Sequence, residues 1–274
     1  MSLKTCDQYD SQVLARQYKF RLGWSTVHGS AEPITSIIDD DPVWGPERKI
    51  WHHVLRLSVH HGILTTIIRW LRERLPSALQ RRISKWFPGA FLPDTVIVKT
   101  LKPDWDEEFD TEISMYGRLK PIQGVVVPVF YGETQVDDGD GGTRAMLLSD
   151  VGGKQLAVVS CGDYEADDLR GMLKTAIGAI YRLGVSPCDA NLVNCHVVAG
   201  NRIMIVDHEQ DEELDDEKSH HVEELIEAKV DSIMERYWSV QQSTEEMDHE
   251  AERRANDEWR ARYGHIVLGC RARD

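Results

Sequence analysis

Cysteine is scarce in this chain and its spacing forms no pattern. Cys6, Cys161, Cys188, Cys195 and Cys270 include no CxxC pair, which argues against a disulfide framework and against a thiolate zinc site, and predicts reduced thiols in an intracellular protein. Long apolar runs are missing as well. No stretch reaches the roughly 18 consecutive apolar residues of a membrane-spanning helix, and the N-terminus, MSLKTCDQYDSQVLARQ, lacks the apolar centre of a secretory signal. A cytoplasmic protein without a transmembrane segment is expected. Positive charge is in deficit, 32 Lys and Arg against 46 Asp and Glu for a formal net charge of −14. A phosphate backbone would be repelled, so nucleic acid is excluded as the main partner. What is present is ordinary for a globular chain: 274 residues, 41% hydrophobic and 28% charged, enough for one large domain or two lobes. None of these features fixes an oligomeric state.

Residues 1–45 are mixed, and SAEPITSIIDDDPVWGP gathers the Pro, Asp, Ser and Gly of a loop or irregular arm. From Glu47 to Trp86, the recurrence of Trp51, Leu55, Val59, Ile63, Ile67, Trp70 and Leu71 three or four apart predicts two helices with Pro76 between them. The arginines of RWLRERLPSALQRRISKW fit a solvated helix face opposite a buried apolar stripe; an anionic or membrane surface is the other reading of the same spacing. TVIVKTL reads as a strand. Asp106–Leu119 reads as a helix with acids in its first turn, and GVVVPVFYGE and TRAMLLS as two further strands around the turn-rich VDDGDGG. EADDLRGMLKTAIGAIYRLG places Leu169, Leu173, Ala176, Ile177, Ile180 and Leu183 at helical intervals before Gly184. CHVVAGNRIMIVD follows as a hairpin turning at Ala199–Gly200–Asn201. Helix is expected again from Glu217 to Trp238 and over Glu250–Tyr263.

Five polar residues stand out by order and element type. Lys99 closes a strand and Glu112 lies in the next helix. Asp189 and Asn194, five apart, lie in a loop, and Asp207 follows the hairpin. A carboxylate such as Asp189 can orient or deprotonate an attacking hydroxyl, while Asn194 and Asp207 supply the hard oxygen donors that suit Mg²⁺.

This order of functional groups resembles that of the protein-kinase-like superfamily. The phrase FDTEISMYGRLKPIQGVVVPVFYGE, then AMLLSDVGGKQL and LGVSPCDANLVNCHVV, resembles in particular a diverse group of fungal kinase-like and small-molecule phosphotransferase-like proteins, over roughly residues 92–210. The resemblance implies a bilobal α+β fold with a small β-rich N-lobe preceded by helices and a reduced helical C-lobe. The expected division is 1–90 as arm and helices packing on the small lobe, 91–149 as the N-lobe and 150–274 as the C-lobe. It further implies ATP and Mg²⁺ as cofactors, Lys99 on the phosphates held by Glu112, and Asp189 as catalytic base or orienter. Asn194 and Asp207 would bind the metal. LLSDVGG would be the hinge, with Leu148 near the gatekeeper position and the backbone of Ser149 to Val151 facing the adenine.

Several residues depart from the family pattern. No GxGxxG precedes Lys99, Pro187 and Cys188 stand where a kinase has His and Arg or Gly, and His208–Glu209 follow Asp207 in place of Phe–Gly. Asn191 occupies the position of a Lys that neutralises the transferred phosphoryl group. The function implied is an ATP- and Mg-dependent phosphotransferase acting on a small-molecule acceptor. The alternative is a pseudokinase or binding scaffold with weak or no phosphoryl transfer.

Overall fold

The computed structural model describes residues 16–38, 47–137 and 142–242. Six strands form its main sheet: β1 (Arg16–Leu22), β2 (Ser25–Ile38), β3 (Glu47–Val59), β4 (Thr95–Thr100), β5 (Phe130–Val136) and β6 (Thr143–Ser149). They pair antiparallel in the order β1-β2-β3-β4-β6-β5, and the sheet closes into a barrel through Phe20 against Val136. The expected bilobal kinase-like fold, with its small N-lobe preceded by helices, is thereby corrected. The chain is α+β around a closed six-stranded antiparallel barrel.

The physical reason lies in two segments. SAEPITSII, expected as irregular chain, is part of β2, and its Pro33 sits where the β2–β3 register shifts, a place where a residue without an N–H is tolerated. The stretch 47–59, expected as helix, is β3, paired with β2 on one side and β4 on the other. Leu55, Leu57 and Val59 are buried while Arg56 and Ser58 are exposed. That is the period of two of a strand with one face inward. The barrel interior is filled by these residues with Phe20, Leu22, Val27, Leu92, Val96, Val98, Ala145 and Leu147.

Two helices do follow, α1 (Ile63–Glu73) and α2 (Ser77–Trp86), with Pro76 before the second. The helix α3 (Asp106–Arg118) carries Asp106, Glu107 and Glu108 in its first turn, where the helix dipole favours them. Its buried face, Phe109, Glu112, Met115 and Tyr116, meets β6 through a small cluster of Phe109, Tyr116, Met146 and Leu148. β5 begins only at Phe130, because Gly124–Pro128 form a turn and loop whose Val126 carbonyl accepts from the Ile205 amide at 2.8 Å.

After β7 (Lys154–Gln155), the helix α4 (Ala166–Tyr181) forms as its spacing predicts and buries Leu169, Leu173, Ala176, Ile177 and Ile180. These residues pack in a second apolar core with the helical run 222–242, which supplies Ile226, Val230, Ile233 and Tyr237. Between them lie β8 (Val185–Ser186), β9 (Cys195–Val198), β10 (Arg202–Ile205), β11 (Glu212–Glu213) and α5 (Asp216–Ser219). The β9–β10 hairpin turns at Gly200 and Asn201, both at positive φ (82° and 51°), the backbone that glycine and asparagine adopt at least cost. The stretch expected as helix over Glu250–Tyr263, and most of VDDGDGG, lie outside the described residues. Among the described residues, no helix is long and apolar enough to cross a membrane.

Candidate functional site

Strand parity aims Lys99. In β4, Val96 and Val98 point into the barrel, so Ile97 and Lys99 take the opposite face and line a cavity of about 500 Å³. From the far side, α3 presents Glu112 on the same face as Phe109 and Tyr116, three and four residues away. The two side chains meet: Lys99 Nζ donates to Glu112 Oε2 at 2.6 Å.

The same ammonium donates to Asp207 Oδ1 at 2.7 Å and lies 3.3 Å from Glu209 Oε2, and Lys102 Nζ donates to Glu209 Oε1 at 2.8 Å. Lys99 and Glu112 are both buried. Burial works against the charged lysine, but Glu112, Asp207 and Glu209 outweigh it and raise its pKa well above the usual value. For Glu112 burial prevails and raises the carboxyl despite Lys99. Asp207 is also penalised by burial, yet Lys99 and then Lys102 hold it below the usual carboxylate range. Asp207 adopts φ 67°, a conformation costing a residue with a β-carbon on the order of 1 kcal/mol. The bond from Lys99 and the flanking bond from the Val206 amide to the Asn194 carbonyl, 2.9 Å, hold it there.

The loop between β8 and β9 is organised by asparagine. Asn191 Oδ1 accepts from the amides of Val193 and Asn194, at 2.9 and 3.0 Å, while its Nδ2 donates to Asp189 Oδ1 at 3.0 Å. This is the local side-chain-to-backbone bonding that Asn favours in turns. Asn194 Nδ2 donates to Asp189 Oδ2 and to the Asp189 carbonyl, at 2.9 and 3.0 Å. Burial raises the Asp189 pKa and the bonds from Asn191 and Asn194 oppose the rise. A carboxylate so held is oriented and somewhat more basic than one in water.

All eight residues singled out from the sequence line this one cavity: Lys99, Glu112, Leu148, Ser149, Val151, Asp189, Asn194 and Asp207. The Ser149 amide, however, donates to the Val129 carbonyl at 2.9 Å, and Ser149 Oγ accepts from the Val129 amide at 2.9 Å. That segment is thereby tied to the loop before β5. Sequence reasoning missed Lys102 and Arg56 and did not place His53 in this cavity. Lys102 follows Lys99 by three residues with no periodic signal, and His53 and Arg56 lie on β3, where a helix was expected. Burial, then Lys102 and Lys99, lower the His53 pKa to about 4, so the imidazole is neutral at physiological pH. Arg56 donates to Asp150 Oδ2 at 2.8 Å on the cavity wall.

One oxygen from each of Glu112, Asp207 and Glu209 lies within 4.8 Å of the others. The Lys99 ammonium already sits among these three, so their common centre holds a lysine and suits no metal. Asp207 together with Asn194 forms a different donor pair. Both bonds of the Asn194 side chain are made through its nitrogen, which leaves the amide oxygen open; it and the Asp207 carboxylate line the same cavity and are hard donors of the kind that suits Mg²⁺. Neither models of known protein families nor curated protein sequences give a match to this chain.

Proposed function

We propose that this chain binds a magnesium-complexed nucleoside triphosphate in the barrel-side cavity and transfers its terminal phosphoryl group to the hydroxyl of a small molecule. The observation that carries the reading is the buried Lys99–Glu112 ion pair, which faces the Asp189–Asn194 pair across one cavity. Lysine held by a buried carboxylate is an oriented cation for phosphate oxygens. Asp207, now bonded to Lys99, and the Asn194 amide oxygen would hold the cation, which when bound neutralises charge on the phosphates. The apolar wall of Ile34, Val54, Ile97 and Leu148 suits the faces of a purine ring, as in ATP, with the backbone of Asp150 and Val151 at its edge.

In the transfer, the acceptor hydroxyl oxygen attacks the terminal phosphorus and its proton passes to Asp189. The bond from that phosphorus to the bridging oxygen breaks, and the nucleoside diphosphate leaves. The oriented carboxylate, with its raised pKa, supports that role.

A second reading is binding without transfer, and Asn191 favours it: this side chain is spent on holding the loop and brings no positive charge to the phosphoryl group. Calorimetric titration of Mg·ATP and turnover with candidate metabolites test both readings. Asp207→Asn should abolish Mg-dependent binding, and Asp189→Asn should keep binding and lose turnover. Binding without turnover in the unsubstituted protein selects the second reading, and Mg·ATP binding that Asp207→Asn leaves untouched refutes the site.

A further inference from the structure

Helix α1 is docked inside out. None of its residues is buried, and Ile63, Leu64 and Trp70 are 81%, 75% and 51% exposed, with Ile67 and Leu71 beside them. The side turned to the protein carries arginine. Arg69 donates to the carbonyls of Ala90 and Leu92, both at 2.7 Å, and Arg72 lies over the Phe91 ring at 4.8 Å. A helix serving only the core would have turned the other way, because apolar area gains by leaving water. The buried stripe expected from the spacing is therefore the outward face.

The face extends beyond α1. Leu79 and Trp86 of α2 are exposed, and Trp24, in the turn between β1 and β2, stacks on Trp86 at 6.2 Å between ring centroids. Exposed cations flank it: Arg74, lying over the Trp70 ring at 3.8 Å, and Arg81, Arg82 and Lys85. Glu73 is the only acid in residues 63–86 of a chain whose formal charge is −14.

We propose that the α1–α2 face is a docking surface for an anionic lipid bilayer, on which both helices lie in the interfacial plane. Aliphatic and Trp side chains on one face with Arg and Lys beside them are the composition of such helices, and Trp is suited to the boundary between hydrocarbon and headgroups. Charge complementarity selects this occupant. The basic patch is drawn to anionic headgroups while the acidic remainder of the molecule is repelled, which fixes one orientation. A second copy meeting the same face about a two-fold axis would press Arg74, Arg81, Arg82 and Lys85 against their like-charged counterparts. The proposal does not depend on nucleotide binding.

The test is co-sedimentation of the full chain with vesicles of phosphatidylcholine alone and of equimolar phosphatidylcholine and phosphatidylserine. Binding to the phosphatidylserine vesicles, weakened by salt, is the expected result. Arg81→Glu with Arg82→Glu should lower the partition coefficient roughly thirtyfold or more, and Leu64→Ser with Ile67→Ser should also weaken it. All four positions are exposed, and circular dichroism melting checks that the variants stay folded. Absence of binding to anionic vesicles overturns the proposal, as does binding that neither variant reduces. A dimer detected by light scattering that Leu64→Ser converts to monomer would assign the face to a second copy instead.

Discussion

Lys99→Met keeps the aliphatic stem and removes the charge that three carboxylates share. Glu112, Asp207 and Glu209 stand 2.6, 2.7 and 3.3 Å from the ammonium; without it, Lys102 remains bonded to Glu209. Removing one partner of a buried ion pair costs about 3–5 kcal/mol, a large part of a typical stability of about 5–15 kcal/mol. The loss should depend on pH, because Asp207 contributes with opposite signs in the two proteins. In the unsubstituted chain, Lys99 holds Asp207 below its usual pKa. That contribution is present above the unfolded value and is lost as pH falls through the folded one. In the variant the carboxylates lose the Lys99 charge and Lys102 is left to oppose burial at Asp207, so burial gains there the upper hand that it already has at Glu112. A carboxyl raised above its unfolded pKa stabilises fully below that value and loses the contribution as pH rises through the folded one.

The gap between the two proteins should therefore be widest near neutrality and narrow on acidification. Urea unfolding of both at about pH 7.5 and about pH 5 measures it. Adding Glu112→Gln to Lys99→Met should restore part of the loss at the higher pH, because it deletes the most buried of the unpaired charges. A loss below about 1 kcal/mol near neutrality, or one of equal size at both pH values, would refute the account of a charge shared among three carboxylates.

Asn191→Ala removes the acceptor of two amides and a donor to Asp189; a loss of about 1–3 kcal/mol is expected, with faster hydrogen exchange at Val193 and Asn194, and unchanged exchange there would contradict it. Gly153→Ala would place a Cβ 2.3 Å from the Val197 carbonyl oxygen at φ 74°, so thermal unfolding should show at least about 2 kcal/mol of destabilisation. Leu57→Ala, fully buried in the barrel, should cost about 2–5 kcal/mol by urea unfolding; a cost under about 1 kcal/mol would mean that the barrel interior is not close-packed there.

The elements legible in the sequence are those whose pattern is local. α4 is marked by five apolar residues at helical spacing, and the β9–β10 hairpin by Gly200 and Asn201 at its turn. β3 was misread because Trp51, Leu55 and Val59 stand four apart, and four is both about one helical turn and two strand repeats. Leu57, falling between them, decides the case, since only a strand buries 55, 57 and 59 together. In GVVVPVFYGE the apolar run was legible but not its shape: Val126 and Val127 are buried in a loop whose carbonyl bonds to Ile205, far away in sequence. No local periodicity reports a contact of that kind.

The same distinction explains why the cavity residues could be picked out while the architecture around them was misassigned. Lys99 is aimed by parity within β4, Glu112 by its place on one turn of α3, and Asp189 by two asparagines within five residues. Each of these needs only its own element. Closure of the barrel needs Phe20 to meet Val136 and β2 to meet β3 along its length, pairings between distant segments whose cost and reward do not show in a short window. The cavity inherits both kinds of information. Its polar face comes from β4, α3 and the loop before β9, whereas Val54, Arg56 and Ile34 on its other wall come from β3 and β2. Which residues form that polar face was thus open to reading from sequence. The shape of what it admits is set by two strands that only long-range pairing creates, and on the proposed function selectivity for a base or an acceptor must be sought in that wall.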